Sequence, residues 1–152
     1  MKRFCFTLQA VLTLRQREER ESLEGYATAL KRRQEACDAL AEVNRVVESI
    51  RHLRLQSGDG ITSARALHQM QVRTDLAILK KNEANRSLVA SEVELERRLA
   101  EVLAARQRRE AVERCRDLQM QEFVRLEAQE ESRLLDEFTA RKPNSQISSI
   151  YG

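Results

Sequence analysis

Apolar residues recur every three or four positions along nearly the whole chain, in two runs separated by one short polar segment. The first run covers residues 7–54 and the second covers 63–141, and neither contains a proline. This spacing puts the apolar side chains on one side of an α-helix, as in a coiled coil. The segment 56–62 between the runs holds Gly58 and Gly60, which adopt turn conformations that other residues avoid. The pattern predicts an all-α protein with two long helices in an antiparallel coiled-coil hairpin.

The predicted interface between the helices is an apolar stripe with polar interruptions. On the first helix it consists of Leu8, Val11, Leu12, Leu23, Tyr26, Leu30, Cys37, Leu40, Val43, Val47 and Ile50, interrupted by Gln16, Glu19, Arg33 and Asn44. On the second it consists of Leu67, Met70, Ala77, Ile78, Leu88, Leu95, Leu99, Val102, Ala105, Val112, Phe123 and Leu126. Polar residues in such a stripe reduce stability, so we expect a weaker coiled coil than one made of leucine alone.

A turn near residues 58–60 also predicts the register of the pair. Residues should face each other when their numbers sum to about 118, give or take several residues, since two antiparallel helices pair outward from the turn. This register puts three acidic residues of the first helix opposite Arg97 and Arg98, and Asp38 opposite Lys80 and Lys81. The three acidic residues are Glu18, Glu19 and Glu21. Opposite charges at flanking positions favour such a register.

The turn lies well before the middle of the chain, so the second helix should overhang the first. With the predicted register, residues 113–141 have no partner on the first helix. Pro143 then ends the second helix, and residues 143–152 are expected to form a flexible tail. We therefore expect one hairpin domain over 1–142.

Composition and charge exclude several classes of protein. The chain is 34% charged and only 4% aromatic, which suits long solvated helices better than a thick globular core. The net charge is +3, with acidic and basic residues interleaved, which is unlike the concentrated basic face of most nucleic-acid-binding proteins. No apolar run is long enough for a signal peptide or a membrane span, so the protein is expected in the cytosol.

No candidate catalytic or metal-binding group emerges from the motifs. The chain has no Gly-rich phosphate loop and no His-Glu-x-x-His motif, and a two-helix rod offers no enclosed pocket for catalysis. His52 and His68 fall near each other beside the turn without further ligands, so surface histidines are the favoured interpretation. Free thiols are the expectation for the three cysteines, Cys5, Cys37 and Cys115, with a Cys5–Cys115 disulfide as the alternative. We expect a protein that is not an enzyme and binds no cofactor or metal.

Two sets of apolar residues remain that the helix pairing does not use. Val72, Leu76 and Leu79 are spaced four and three residues apart and face away from Met70 and Ala77. Such a stripe is typical of a partner-binding patch, and scattered surface aliphatics are the alternative. The second set lies on the overhang and consists of Phe123, Val124, Leu134, Leu135 and Phe138. An isolated helix with these residues should bind another surface, and self-association or fraying of this end is the alternative.

The chain also resembles a known family over nearly its full length. The matching residues are Phe6-x-Leu8-x-x-Val11-Leu12-x-x-Arg15 with Glu18-Glu19, then Gly60-Ile61-x-Ser63-x-Arg65 at the tip, and Leu135-Asp136-Glu137-Phe138 near the end. Together with the short first helix and long second helix, they resemble the FliJ/YscO family of type III secretion stalk proteins, which includes flagellar export proteins.

The resemblance implies a non-catalytic stalk, similar to the central γ subunit of rotary ATPases, within the hexameric ring of the flagellar export ATPase. In the family the terminal ends of the hairpin engage that ring, and the tip region contacts the cytoplasmic domain of the membrane export gate. The ring-facing residues carried over by position are Phe123, Leu134, Leu135, Asp136, Glu137 and Phe138. The gate-facing residues are Val72, Leu76 and Leu79. Such a protein is cytoplasmic and peripherally associated with the cytoplasmic face of the inner membrane.

Two other functions are compatible with the sequence. The family is also credited with handling export chaperones, so an escort chaperone that recruits export substrates or their chaperones is the main alternative, with the stripe at Leu76 as its binding site. A nucleic-acid-associated coiled coil would bind through the arginines between Arg106 and Arg116 and would show steep salt dependence. Acidic residues among those arginines argue against it.

Overall fold

A computed structural model describes residues 3–56 and 63–141, which form two long α-helices and, within these ranges, no strand. Helix α1 spans Gln9–Gln56 and has 48 residues, while α2 spans Ala64–Ala140 and has 77. The predicted all-α pair with a longer second helix is confirmed. Most of the expected turn at 56–62 and the expected tail at 143–152 lie outside the described residues, and the single hairpin domain over 1–142 stays a prediction.

Main-chain hydrogen bonds define where each helix begins. The N–H of Leu12 donates to the carbonyl of Leu8 at 3.0 Å. Leu8 directly precedes Gln9, the first residue of α1. The carbonyl of Ser63 accepts from the N–H groups of Ala66 and Leu67 at 3.1 and 3.2 Å, so it makes the first helical bonds of α2. Each helix therefore starts directly after a residue whose carbonyl is already part of the helical ladder.

The contacts divide the chain into two compact units, of which the larger covers residues 16–107. In this unit the helices pack antiparallel. A Cβ built on Gly25 would lie 3.5 Å from Nη1 of Arg98, and Nη2 of Arg33 lies 3.9 Å from Oε1 of Glu92. The partner number falls from 98 to 92 as the residue number rises from 25 to 33, as antiparallel pairing requires.

The observed register lies several residues from the centre of the predicted one. The numbers of these facing residues sum to 123 and 125, whereas the sequence predicted about 118. Arg97 and Arg98 pair with Glu94 and Glu101 of their own helix and not with the acidic residues of α1. Intrahelical pairs three and four residues apart form without regard to the partner helix, which is why these charges were a poor guide to register.

Among the residues that are buried or half-buried in this unit, two series alternate strictly by three and four residues. On α1 they are Glu19, Ser22, Tyr26, Ala29, Arg33, Ala36, Leu40, Val43, Val47 and Ile50, and on α2 Met70, Thr74, Ala77, Lys81, Ala84, Leu88, Ser91, Leu95, Arg98, Val102 and Ala105. We call these positions the seam. Leu30, expected in the interface, is 45% exposed, whereas Ala29 is 4% exposed. The periodicity is thus maintained through small and charged residues, and the larger leucines beside them remain outside.

The smaller unit combines residues 1–15 with 108–152, of which 3–15 and 108–141 are described. Phe6 and Leu12 are buried, and the ring of Phe4 packs against that of Phe123 with centroids 5.6 Å apart and planes at 57°. Phe123 therefore has an intramolecular partner, although it was predicted to lie on an unpaired overhang. The partner comes from the chain before α1, where the helical pattern carried no signal.

Candidate partner-binding surfaces

The first candidate surface is the stripe of Val72, Leu76 and Leu79 on α2, which we call the stripe patch. All three side chains are exposed, and that of Leu76 is 53% exposed. They lie on the side of α2 opposite Thr74 and Ala77, which belong to the seam. The stripe patch is therefore an apolar surface that neither helix of the chain covers.

The second candidate surface lies near the end of α2 and consists of Leu134, Leu135 and Phe138, which we call the terminal patch. Its three residues are exposed, and Phe138 at 77% is the most exposed large apolar side chain among the described residues. Asp136 and Glu137 are also exposed and put carboxylates beside it. Phe123 does not belong to this patch, because it is half-buried against Phe4.

A third feature was not indicated by the sequence pattern. A groove lies between the two helices in the unit of residues 16–107. One pocket of about 180 Å³ is lined by Val47, Ile50, Arg51, Arg54, Thr74, Ala77 and Ile78. A neighbouring pocket of about 310 Å³ shares Arg54 and is lined by Leu67, His68, Met70 and Gln71. The signal for such a groove is a pair of small seam residues, here Thr74 and Ala77, where a leucine would fill the interface.

A cluster of charges lies on α2 around Glu94. Glu94 accepts hydrogen bonds from Arg97 at 2.8 and 2.9 Å and from Arg98 at 2.9 Å. These bonds lower the pKa of the Glu94 carboxyl to about 2, with Arg97 making the larger contribution. The same contact raises the pKa of Arg97 above its ordinary value. The paired residues of this cluster are three and four positions apart on one helix, so the cluster supports the helix itself.

Two of the arginines proposed for nucleic-acid binding, Arg109 and Arg116, are paired with acidic neighbours. Arg109 donates to Glu113, and Arg116 donates to Asp117 at 3.0 and 3.2 Å. Their charges are therefore largely neutralised on the same helix. Acidic residues thus lie among these arginines, unlike the concentrated basic face of most nucleic-acid-binding proteins.

Groups that could hold a metal or a cofactor are not brought together in the described part of the chain. Cys5, Cys37 and Cys115 are free thiols. Residues 3–56 and 63–141 contain no cluster of three histidine, cysteine or acidic side chains with metal-binding geometry. Neither described helix is long and apolar enough to cross a membrane.

In a comparison with protein families, residues 4–148 match the family described as flagellar FliJ protein. The match includes both helices and both apolar patches. No curated protein and no solved structure matches the chain.

Proposed function

Since the chain belongs to the flagellar FliJ family and is thus a component of the flagellar export apparatus, we propose that it is the non-catalytic stalk that couples the export ATPase to the membrane export gate. On this proposal the terminal patch binds the hexameric ATPase ring, and the stripe patch binds the cytoplasmic domain of the gate protein. The chain acts at the cytoplasmic face of the inner membrane.

The observation that carries the proposal is the exposure of the terminal patch. Leu134, Leu135 and Phe138 project from one side of a helix that has no covering segment among the described residues. Burying one large apolar side chain yields about 1.5–3 kcal/mol, so a partner that covers all three gains substantial affinity. The adjacent Asp136 and Glu137 favour a partner with a basic rim.

A pull-down with the purified export ATPase tests the terminal patch. Phe138→Asp should weaken binding at least tenfold, because it puts a charge into a desolvated contact. Leu118→Asp is the matched control, since Leu118 is similarly exposed on α2 but lies outside both patches. Unchanged ATPase binding and motility with Phe138→Asp would contradict the proposed ring contact.

An escort chaperone that recruits export chaperones or substrates is the second candidate, and the exposed stripe patch favours it. Leu76→Glu distinguishes the two functions. If the protein is the stalk, the variant loses affinity for the gate domain, and if it is an escort, the variant loses binding of export chaperones. Binding to the ATPase is retained in both cases. Leu103→Glu is the control, because Leu103 is exposed to a similar degree, at 51%, on the same helix.

A further inference from the structure

We propose that the groove between α1 and α2 is a docking site for an acidic amphipathic helix of a partner protein. The site is distinct from the stripe patch. At 100° per residue, Thr74, Ala77 and Ile78 lie on the side of α2 opposite Val72 and Leu79. The proposal concerns the chemistry of a separate surface and does not depend on the stalk function.

The size of the groove fits apolar side chains. The pocket between Val47, Ile50 and Ala77 has a volume of about 180 Å³. A cavity of about 150 Å³ lined by aliphatic and aromatic residues holds a benzene molecule, so a pocket of this size accommodates a leucine or a phenylalanine side chain. The small side chain of Ala77 leaves this space, because a leucine at a seam position would occupy it.

The length of the groove fits a helix better than a single side chain. The second pocket, lined by Leu67 and Met70, adjoins the first and shares Arg54 with it. From Leu67 to Ile78 the backbone of α2 rises about 16 Å, or three helical turns. A partner helix with apolar residues at positions i, i+4 and i+7 would reach both pockets.

The charges around the groove select an acidic partner. Arg51 and Arg54 lie one turn apart on α1, and both are exposed at its edge. Arg51 has one long ion pair, 3.9 Å from Glu48, between two exposed side chains, which contributes little. His68 lines the second pocket, and the residues lining the two pockets include no carboxylate. An acidic helix gains charge pairs along this edge, whereas a basic helix is repelled.

The test uses a designed peptide and the full chain. The peptide is an 18-residue helix with leucines at i, i+4, i+7 and i+11 and glutamates on both flanks, carrying a fluorophore. One control peptide has the same composition with scattered leucines, and a second has lysine in place of glutamate. Fluorescence anisotropy should show saturable binding of the acidic helix, with both controls at least about tenfold weaker, a difference of about 1.4 kcal/mol.

Two variants of the chain identify the site. Ile78→Glu and Arg54→Glu should each weaken peptide binding at least about tenfold, because the first puts a charge into the groove and the second reverses the charge at its edge. Val89→Glu is the matched control, since it puts the same charge at an exposed residue of α2 that lies outside the groove and outside both patches. Circular dichroism confirms that all three variants remain helical.

Several outcomes would overturn the proposal. These are equal binding of the lysine peptide, unchanged binding to Ile78→Glu, or no saturable binding at about 1 mM peptide. Tighter binding of a DNA duplex that Arg54→Glu abolishes would assign the groove to nucleic acid. A dimer in sedimentation that Ile78→Glu dissociates would assign it to a second copy of the chain. None of these measurements uses the ATPase or Phe138, so failure here leaves the stalk function untouched.

Discussion

The ring of Phe4 packs on the ring of Phe123, with centroids 5.6 Å apart and planes inclined at 57°. This contact joins the chain before α1 to the C-terminal part of α2 within one compact unit. Aromatic pairs at this separation contribute about 0.5–1.5 kcal/mol beyond the apolar area that they bury. The residues ahead of the first helix therefore help to hold the second.

Phe4→Ala should lower the free energy of unfolding by about 1–2 kcal/mol, because it removes the ring pair and exposes Phe123. Urea denaturation followed by circular dichroism measures the change. Phe138→Ala is the matched control and should alter stability by less than about 0.5 kcal/mol, since Phe138 is 77% exposed. Equal losses in the two variants would show that the ring pair has no structural role.

Gly25→Ala should stabilise the protein by about 0.5–1 kcal/mol, because glycine in a helix interior is less favourable than alanine by that amount. Gly25 does not have a positive φ, and its new Cβ would meet Nη1 of Arg98 at 3.5 Å, an ordinary van der Waals contact. The midpoint of urea denaturation should therefore rise. The reverse substitution Ala27→Gly, at an exposed site on the same helix, should lower it by a similar amount. A lower midpoint for Gly25→Ala would mean that Arg98 cannot accommodate a methyl group.

Ala29→Gln should destabilise the helix pair by about 2–3 kcal/mol, whereas Leu30→Gln should cost less than about 1 kcal/mol. Ala29 is a buried seam residue, so a longer polar side chain separates the helices, while Leu30 is 45% exposed. The two variants make the same replacement at neighbouring positions, and thermal denaturation compares them directly. A larger loss of stability for Leu30→Gln than for Ala29→Gln would show that Leu30 lies in the interface, as the spacing of the leucines predicted.

The Glu94 carboxyl should make stability depend on acid pH. Its pKa is lowered from 4.5 to about 2 by Arg97 and Arg98, so its contribution is complete above about pH 4.5 and is lost as the pH falls towards 2. Glu94→Gln should therefore be less stable than the parent at pH 7, and the difference should shrink between pH 4.5 and 2. Urea midpoints across this range measure it. Glu83→Gln, at an exposed position on the same helix, is the control, and the same pH profile in both variants would exclude a special role for Glu94.

The helical pair was predictable because a repeat of three and four residues over two long segments has few other physical solutions. Which residues of the repeat face the partner helix was harder to predict. The prediction placed Leu23 and Leu30 in the interface because they are the largest apolar residues there. The interface instead keeps a constant period, and Ser22, Ala29 and Arg33 occupy its positions. The register was predicted as the sum of the numbers of two facing residues. An error of two or three residues on each helix therefore doubles in that sum.

The exposed patches and the groove differ in how far the sequence could predict them. Val72, Leu76 and Leu79 stood out because they repeat on a face opposite the seam, and their exposure agrees with that face. The partner of Phe123 could not be found in this way, because Phe4 precedes the first helix and belongs to no period. The groove depends on empty volume beside Ala77, and a one-dimensional pattern contains no measure of volume.

The exposed C-terminal part of α2 also affects how the protein behaves during purification. Beyond Phe123 the helix has few buried neighbours, so its hydrogen bonds should open at a small free-energy cost and admit a protease. Trypsin would then cut first after Arg125 or Arg133, both exposed. The clipped product would retain the paired helices and a normal circular dichroism spectrum, yet it would lack Leu134, Leu135 and Phe138. A preparation whose mass has not been checked could therefore look intact and yet lack the terminal patch, the surface that we propose binds the ATPase.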